Sequence, residues 1–170
     1  AKVALTDNEY IALLTDGTVP RPVERGLNIR MIRIIRVKSM DIGDGKIAMI
    51  VSDGMGKGKK AAAESLMVTK TIISLLKSGV TTDLALKMIN AVMLMKDDED
   101  SYATVDLVII NKRTGKTKFY KIGAAPTLIR RRDKVEEVKL SAVPLGIVNG
   151  LKIRYMETVL KKDDWIIMMS

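Results

Sequence analysis

A change of period near residue 102 constrains the fold more than any other feature of the chain. Before it, two stretches carry apolar residues at helical spacing; after it, short alternating runs follow one another, separated by turn residues. "KKAAAESLMVTKTIISLLKSG" (59–79) sets Ala62, Leu66, Thr69, Ile73 and Leu76 three and four apart and ends in Lys77 and Gly79, which predicts an amphipathic helix with a glycine stop. "TTDLALKMINAVMLMKDD" (81–98) adds a Thr or Asp cap and a face of Leu84, Met88, Ala91, Val92 and Met95, predicting a second helix antiparallel to the first. Beyond "DDEDSY", the segments "ATVDLVIIN", "TKFYKIG", "APTLIRRR", "DKVEEVKL", "LKIRYMETVL" and "DDWIIMMS" read as successive strands. Ahead of the helices, Asp44-Gly45 in "IGDGK" marks a hairpin turn, and "KIAMIVS" is a continuous apolar run of the kind found in buried strands. A strand, a helix pair and then a series of hairpins predict an α+β architecture with predominantly antiparallel pairing.

Residues 1–36 are a segment of uncertain role. Turn signals fall at Asp16-Gly17, Pro20 and Pro22, and "LNIRMIRIIRVK" fits a strand by its alternating Leu27, Ile29 and Met31 and a helix by the three-residue spacing of Arg30, Arg33 and Arg36. A solvated basic face over an apolar one outweighs a dedicated anion site there. The 170 residues suffice for one core, and no apolar run approaches the length of a membrane span.

The chain contains no cysteine and no histidine. Thiolate nucleophiles, disulfides, zinc-thiolate sites, imidazole bases and Ser-His-Asp triads are thereby excluded within these residues, and any chemistry must use oxygen ligands, backbone groups, lysine or arginine. A net charge of +9 favours an anionic partner. The basic residues are dispersed and only one Trp, one Phe and four Tyr accompany them, which argues against a nucleic-acid platform.

Candidate chemistry concentrates in "IVSDGMGKGKKAAAES" (50–65). Asp53 ends a buried strand, where an uncompensated carboxylate is costly, and a hard divalent cation would supply the missing counter-charge. Gly54 leaves room for its carbonyl to approach such an ion, while Gly56, Gly58, Lys57, Lys59 and Lys60 make the turn into the helix hospitable to phosphate. Three other readings stand beside this one. The segment would also serve as a plain strand-to-helix turn with a capping aspartate; the P-loop spacing does not occur; and an ATP-binding D-x-G-x-G loop of the histidine-kinase and gyrase type matches imperfectly, because Gly54 follows Asp53 immediately.

From Val37 to Ser170 the landmarks "VSDGMGKG", "KKAAAES", "LLKSGV", "ALKMINAVM", "DDEDSYATVDLVIIN", "KFYKIGAAPTLIRR", "PLGIV" and "WIIMMS" occur in an order that resembles the phosphatase domain of the stage II sporulation protein E family. That family belongs to the PP2C-type, metal-dependent Ser/Thr protein phosphatases. The resemblance implies a β-sandwich of mainly antiparallel strands flanked by helices, with residues 37–170 forming a C-terminally incomplete domain. It implies a two-metal centre of Mn²⁺ or Mg²⁺ that activates water against a phosphoserine or phosphothreonine, with Asp53 as catalytic metal ligand and Gly54 as a carbonyl ligand. It further implies a phosphorylated anti-sigma-factor antagonist as substrate, sporulation control as the setting, and a homodimer through the switch helices, residues 61–96; no nucleic-acid partner is expected, on the charge and aromatic pattern above. Glu64 and Ser65 would make switch-helix contacts. The implied location is cytoplasmic, a membrane-anchored parent protein being one form in which such a domain occurs.

The chain departs from the family pattern at two places. The family's Gly-Asp lies one strand before "SDG", near Ile34, Ile35 and Arg36, where no acid stands; Gly43-Asp44 is a Gly-Asp, but in the predicted hairpin turn. The Asp-Gly expected after "MMS" and the later paired aspartates lie beyond Ser170, so the complete ligand set is expected outside these residues. A non-catalytic interaction module on the same fold, docking an acidic partner, is the alternative from another class, and an ATP-binding domain is the third. Asp106 reads as a sheet hydrogen-bonding group facing with Thr104 and Val108, Arg130, Arg131 and Arg132 as a solvated strand end, and Pro144 and Gly146 as loop formers.

Overall fold

Eight strands and two helices follow the predicted order in the computed structural model, which describes residues 36–54, 59–96, 102–161 and 164–169. Most of the 1–36 segment lies outside the described residues. Strands β1 (Arg36–Gly43) and β2 (Lys46–Gly54) form a hairpin; α1 (Lys59–Lys77) and α2 (Thr82–Leu94) follow; then come β3 (Ala103–Asn111), β4 (Lys116–Ile122), β5 (Thr127–Arg131), β6 (Lys134–Val138), β7 (Tyr155–Val159) and β8 (Trp165–Ile167).

The strands form a five-stranded sheet, ordered β1-β2-β3-β4-β7, and a three-stranded sheet, ordered β6-β5-β8, with every pairing antiparallel. Side chains alternate across each strand, so the large sheet presents two apolar faces. One face, with Ala48, Ile50, Val105, Leu107, Tyr120 and Ile122, packs under the helices through Val68, Ile72, Leu86, Ile89 and Met93. The other, with Ile47, Val51, Val108, Ile110 and Phe119, meets Ile129 and Val138 of the small sheet. The result is an α+β sandwich, helices over the large sheet and the large sheet over the small one. No helix among the described residues is long and apolar enough to cross a membrane.

The hairpin at 43–45 is built from positive-φ residues, Gly43 at 87°, Asp44 at 52° and Gly45 at 68°, the conformations for which Asp-Gly pairs are suited. Gly79 ends α1 at a φ of 81°, and the Gly79 and Val80 amides donate to the Leu76 and Leu75 carbonyls at 3.1 and 3.0 Å. That double closure caps the orphan carbonyls of the last turn, as the glycine stop predicted.

Two helix faces differ from expectation. On α1 the buried stripe is Ala61, Glu64 and Ser65, Val68 and Thr69, Ile72 and Ile73, and Leu76, so Ala62 and Leu66 sit half-buried at its margin. On α2 the reversal is complete: Ala85, Leu86, Ile89, Asn90 and Met93 are buried, whereas Leu84, Met88, Val92 and Met95 are exposed. Asn90 explains the reversal. Its side-chain amide donates to the Val148 carbonyl at 2.9 Å and its Oδ1 accepts from the Gly146 amide at 2.9 Å. Burial of this polar residue is thus satisfied by the 146–148 loop, a partner that helical spacing does not reveal.

Candidate metal corner at the end of β2

Asp53 and Gly54 are the last two residues of β2, paired with Thr104 and Ala103 of β3. Alternation from Val51, which lies in the core between the sheets, puts Asp53 on the face of the large sheet turned toward the small one. Asp53 is half-buried there. Its amide donates to Thr104 Oγ1 at 3.2 Å, and the same hydroxyl lies 3.4 Å from the Asp53 carbonyl, which it can serve as donor.

Gly54 is required by the approach of α1. A Cβ built on it would lie 2.3 Å from the Ala61 carbonyl oxygen, a backbone atom that cannot swing aside. One turn further along α1, Ser65 Oγ donates to the Ser52 carbonyl at 2.5 Å with both residues buried, so the helix is bonded as well as packed to the end of β2. The neighbouring Glu64 is also buried, with Lys96 Nζ 3.8 Å from its Oε1. Both residues expected to make switch-helix contacts therefore face the protein interior.

The Gly43-Asp44 alternative is excluded as a partner of Asp53 within one chain. It occupies the opposite end of the β1–β2 hairpin, and the eight steps from Lys46 to Gly54 span about 27 Å of extended strand. Asp44 is instead solvated, its side chain 89% exposed and 3.7 Å from Lys46 Nζ. In the register of the hairpin, Arg36 lies opposite Ser52. The neighbouring positions 34 and 35, near which the family's Gly-Asp is expected, lie outside the described residues, as do residues 55–58.

Among the described residues no three acidic side chains converge on a common point. Asp53 and Gly54 thus fit one corner of an oxygen-ligand shell: a half-buried carboxylate at the end of a strand between two sheets, followed by a residue without a side chain. The described residues do not assemble a full shell around it.

Directly beneath this corner lies a polar cluster that spacing did not disclose. Asp106 of β3 pairs in register with Lys121 of β4, and both are buried. Lys121 Nζ lies 2.5 Å from Asp106 Oδ2 and donates to the Ala125 carbonyl at 2.6 Å and Thr127 Oγ1 at 2.5 Å; Thr127 Oγ1 donates to Asp106 Oδ2 at 2.7 Å. Burial pushes the Asp106 carboxyl up from its ordinary range, with the Lys121 charge opposing, and pushes the Lys121 ammonium down, with Asp106 opposing. Asp106 faces with Thr104 and Val108 as read from the sequence, but it is an ion-paired group between the sheets. A lysine in the alternating run "TKFYKIG" at a core-facing position was the available signal.

Arg131 is likewise committed to structure. Its guanidinium bonds Glu136 Oε2 at 3.0 Å, Asp164 Oδ2 at 2.7 Å, Thr158 Oγ1 at 3.0 Å and the Val159 carbonyl at 3.2 Å, joining β5 to β6, β7 and the approach to β8. Arg130 and Arg132 are exposed.

The comparisons agree with this architecture. The sequence model of the family described as stage II sporulation protein E matches residues 43–170. Stage II sporulation protein E of Bacillus subtilis (strain 168) is 37% identical over 131 residues, covering 77% of this chain and 16% of that protein; the protein of the same name from Priestia megaterium is 32% identical over 131 residues, covering 77% and 22%. The chain therefore spans about a sixth to a fifth of the length of these relatives. A solved structure of the PP2C phosphatase domain, with a fragment of the regulatory domain, of the Bacillus subtilis protein superposes with a TM-score of 0.72 at 35% identity, covering 79% of this chain and 40% of that one.

Proposed function

The chain belongs to the stage II sporulation protein E family, and from that premise we propose that it is part of a metal-dependent Ser/Thr protein phosphatase whose metal centre includes Asp53 and Gly54. The observation that carries the reading is the placement of one half-buried carboxylate at the inter-sheet end of β2, followed by a glycine that α1 approaches too closely for any side chain. Mn²⁺ or Mg²⁺ held at such a corner, in a centre completed by further acidic residues, supplies a lowered pKa for bound water and a clamp for phosphoryl oxygens. Within this chain Asp53 provides a carboxylate ligand, Gly54 keeps its carbonyl approachable, and Thr104 fixes the backbone of Asp53 through its hydroxyl.

The substrate class in this reading is a phosphoserine or phosphothreonine protein, and family membership favours an anti-sigma-factor antagonist. Self-association through residues 61–96 is supported by the exposed apolar stripe of Leu84, Met88 and Val92 on α2, continued by Met95 at its C-terminal cap. The domain is read as cytoplasmic. In the parent protein, Asp53→Asn is expected to lower Mn²⁺-dependent phosphoprotein hydrolysis by at least about 100-fold, because losing a group that touches the metal costs no less than losing one that merely orients such a group, which costs about 10–100-fold. Full activity in that variant refutes the assignment.

The exposed α2 stripe also favours a second reading, a non-catalytic docking module on the same fold. It requires partner binding that is equal with and without Mn²⁺, and a loss of that binding in Met88→Glu.

A further inference from the structure

Asp106, Lys121 and Thr127 are buried polar residues that the metal corner does not itself use. They come from three strands, β3, β4 and β5, and the third belongs to the small sheet. Their level in the sandwich follows from the register: Asp53 pairs with Thr104, and Val51 pairs with Asp106. Thr104 and Asp106 therefore share a face, about 7 Å apart along β3, and the cluster forms the row directly below the Asp53 corner.

Stability alone does not account for it. A buried ion pair is commonly matched or bettered by apolar side chains of similar volume. Here Asp106 Oδ1, moreover, accepts no hydrogen bond among the described residues, a cost that apolar neighbours would not carry. What the polar set offers is direction. The Lys121 ammonium spends its three donors on Asp106, Ala125 and Thr127, and Thr127 closes the ring by donating to Asp106. Strand β3, the turn after β4 and the first residue of β5 are thereby held at fixed separations beneath the corner.

We propose that Asp106, Lys121 and Thr127 are positioning residues that set the spacing of the two sheets under Asp53, and through it the affinity of the corner for a divalent cation. This rests on the reading of Asp53 as a metal ligand. The proposal requires that stability and metal affinity separate when the cluster is replaced by apolar groups.

The test compares the parent protein with Asp106→Leu/Lys121→Met, Thr127→Val, Thr127→Ser and Asp53→Asn. Folding is followed by thermal melting without metal, Mn²⁺ binding by electron paramagnetic resonance, and kcat and KM on one phosphoprotein. The expected result is a double variant that melts within a few degrees of the wild type yet binds Mn²⁺ about tenfold more weakly, with kcat reduced and KM unchanged. Thr127→Val is expected to weaken Mn²⁺ binding in the same direction and Thr127→Ser to restore it to within about twofold of wild type; this pair decides the matter should the double variant not fold. Wild-type Mn²⁺ binding in the folded double variant, or in Thr127→Val, overturns the positioning role. Wild-type Mn²⁺ binding in Asp53→Asn overturns the metal corner itself, and the positioning role with it. Loss of binding in Asp53→Asn, beside intact binding in the cluster variants, overturns the positioning role alone.

Discussion

Replacing Gly54 by alanine adds one methyl group at the point where β2 and α1 come closest. The added Cβ would sit 2.3 Å from the Ala61 carbonyl oxygen and 3.1 and 3.2 Å from the Ala61 carbonyl carbon and Cα. Relief to ordinary contact needs about 1 Å of movement, and the obstacle is helix backbone, so α1 must retreat or β2 must bend. Retreat is opposed by the 2.5 Å hydrogen bond from Ser65 Oγ to the Ser52 carbonyl. Overpacking of this kind costs roughly 1–3 kcal/mol, and a lost intramolecular hydrogen bond adds about 1 kcal/mol. The expected destabilisation is therefore about 2–4 kcal/mol, read as a lowered midpoint in urea unfolding at an unchanged slope. Because Gly54 φ is not in the positive range, backbone strain is not part of the effect. A Gly54→Ala protein within about 0.5 kcal/mol of wild type would refute the contact.

Three further outcomes follow from the same structure. Arg131→Met strips the counter-charge from Asp164, whose side chain is 6% exposed, and is expected to cost about 2–4 kcal/mol in equilibrium unfolding. Asn90→Ala leaves the Gly146 amide and Val148 carbonyl without their α2 partner and is expected to cost about 1–2 kcal/mol, with faster amide exchange at Gly146 as the local check. Asp41 is held below the usual carboxylate range by hydrogen bonds from Lys112 and then from the Gly43 amide, so the stability it contributes is present at neutral pH and lost as pH falls through its lowered pKa. The stability difference between wild type and Asp41→Asn is thus expected to shrink on acid titration below the ordinary carboxylate range; a constant difference down to acid unfolding would contradict the assignment.

The fold was legible wherever punctuation was local. Asp44-Gly45, Gly79 and the alternating runs after Ala103 specify their own backbone geometry, and strand β3 matches "ATVDLVIIN" residue for residue. The α2 face was not legible, because apolar residues run around nearly the whole helix and the deciding residue, Asn90, takes its partners from residues 146 and 148, more than fifty positions away. Asp53 stood out because a carboxylate ends an apolar run, and Lys121 falls at a core-facing position of its run, but Asp106 looked like an ordinary member of an alternating strand and neither charge named its partner. Only the register that sets them opposite one another, with Thr127 arriving from the second sheet, turns two charges into one buried unit. Pairing across sheets is three-dimensional information, which a period of two does not encode.

The closing of the large sheet by β7 has a consequence for synthesis on the ribosome. Lys116 of β4 finds its partner in Val159, 43 positions later, and at about 5–20 residues per second that wait lasts roughly 2–9 s. Until Val159 is made, β4 lacks the strand that flanks it in the fold, and a β3–β4 hairpin formed in that interval would leave one flank open to other extended peptides. Lys116 and Lys118, which later meet Glu157, place positive charge along that flank during the interval and so discourage the wrong strand from arriving first.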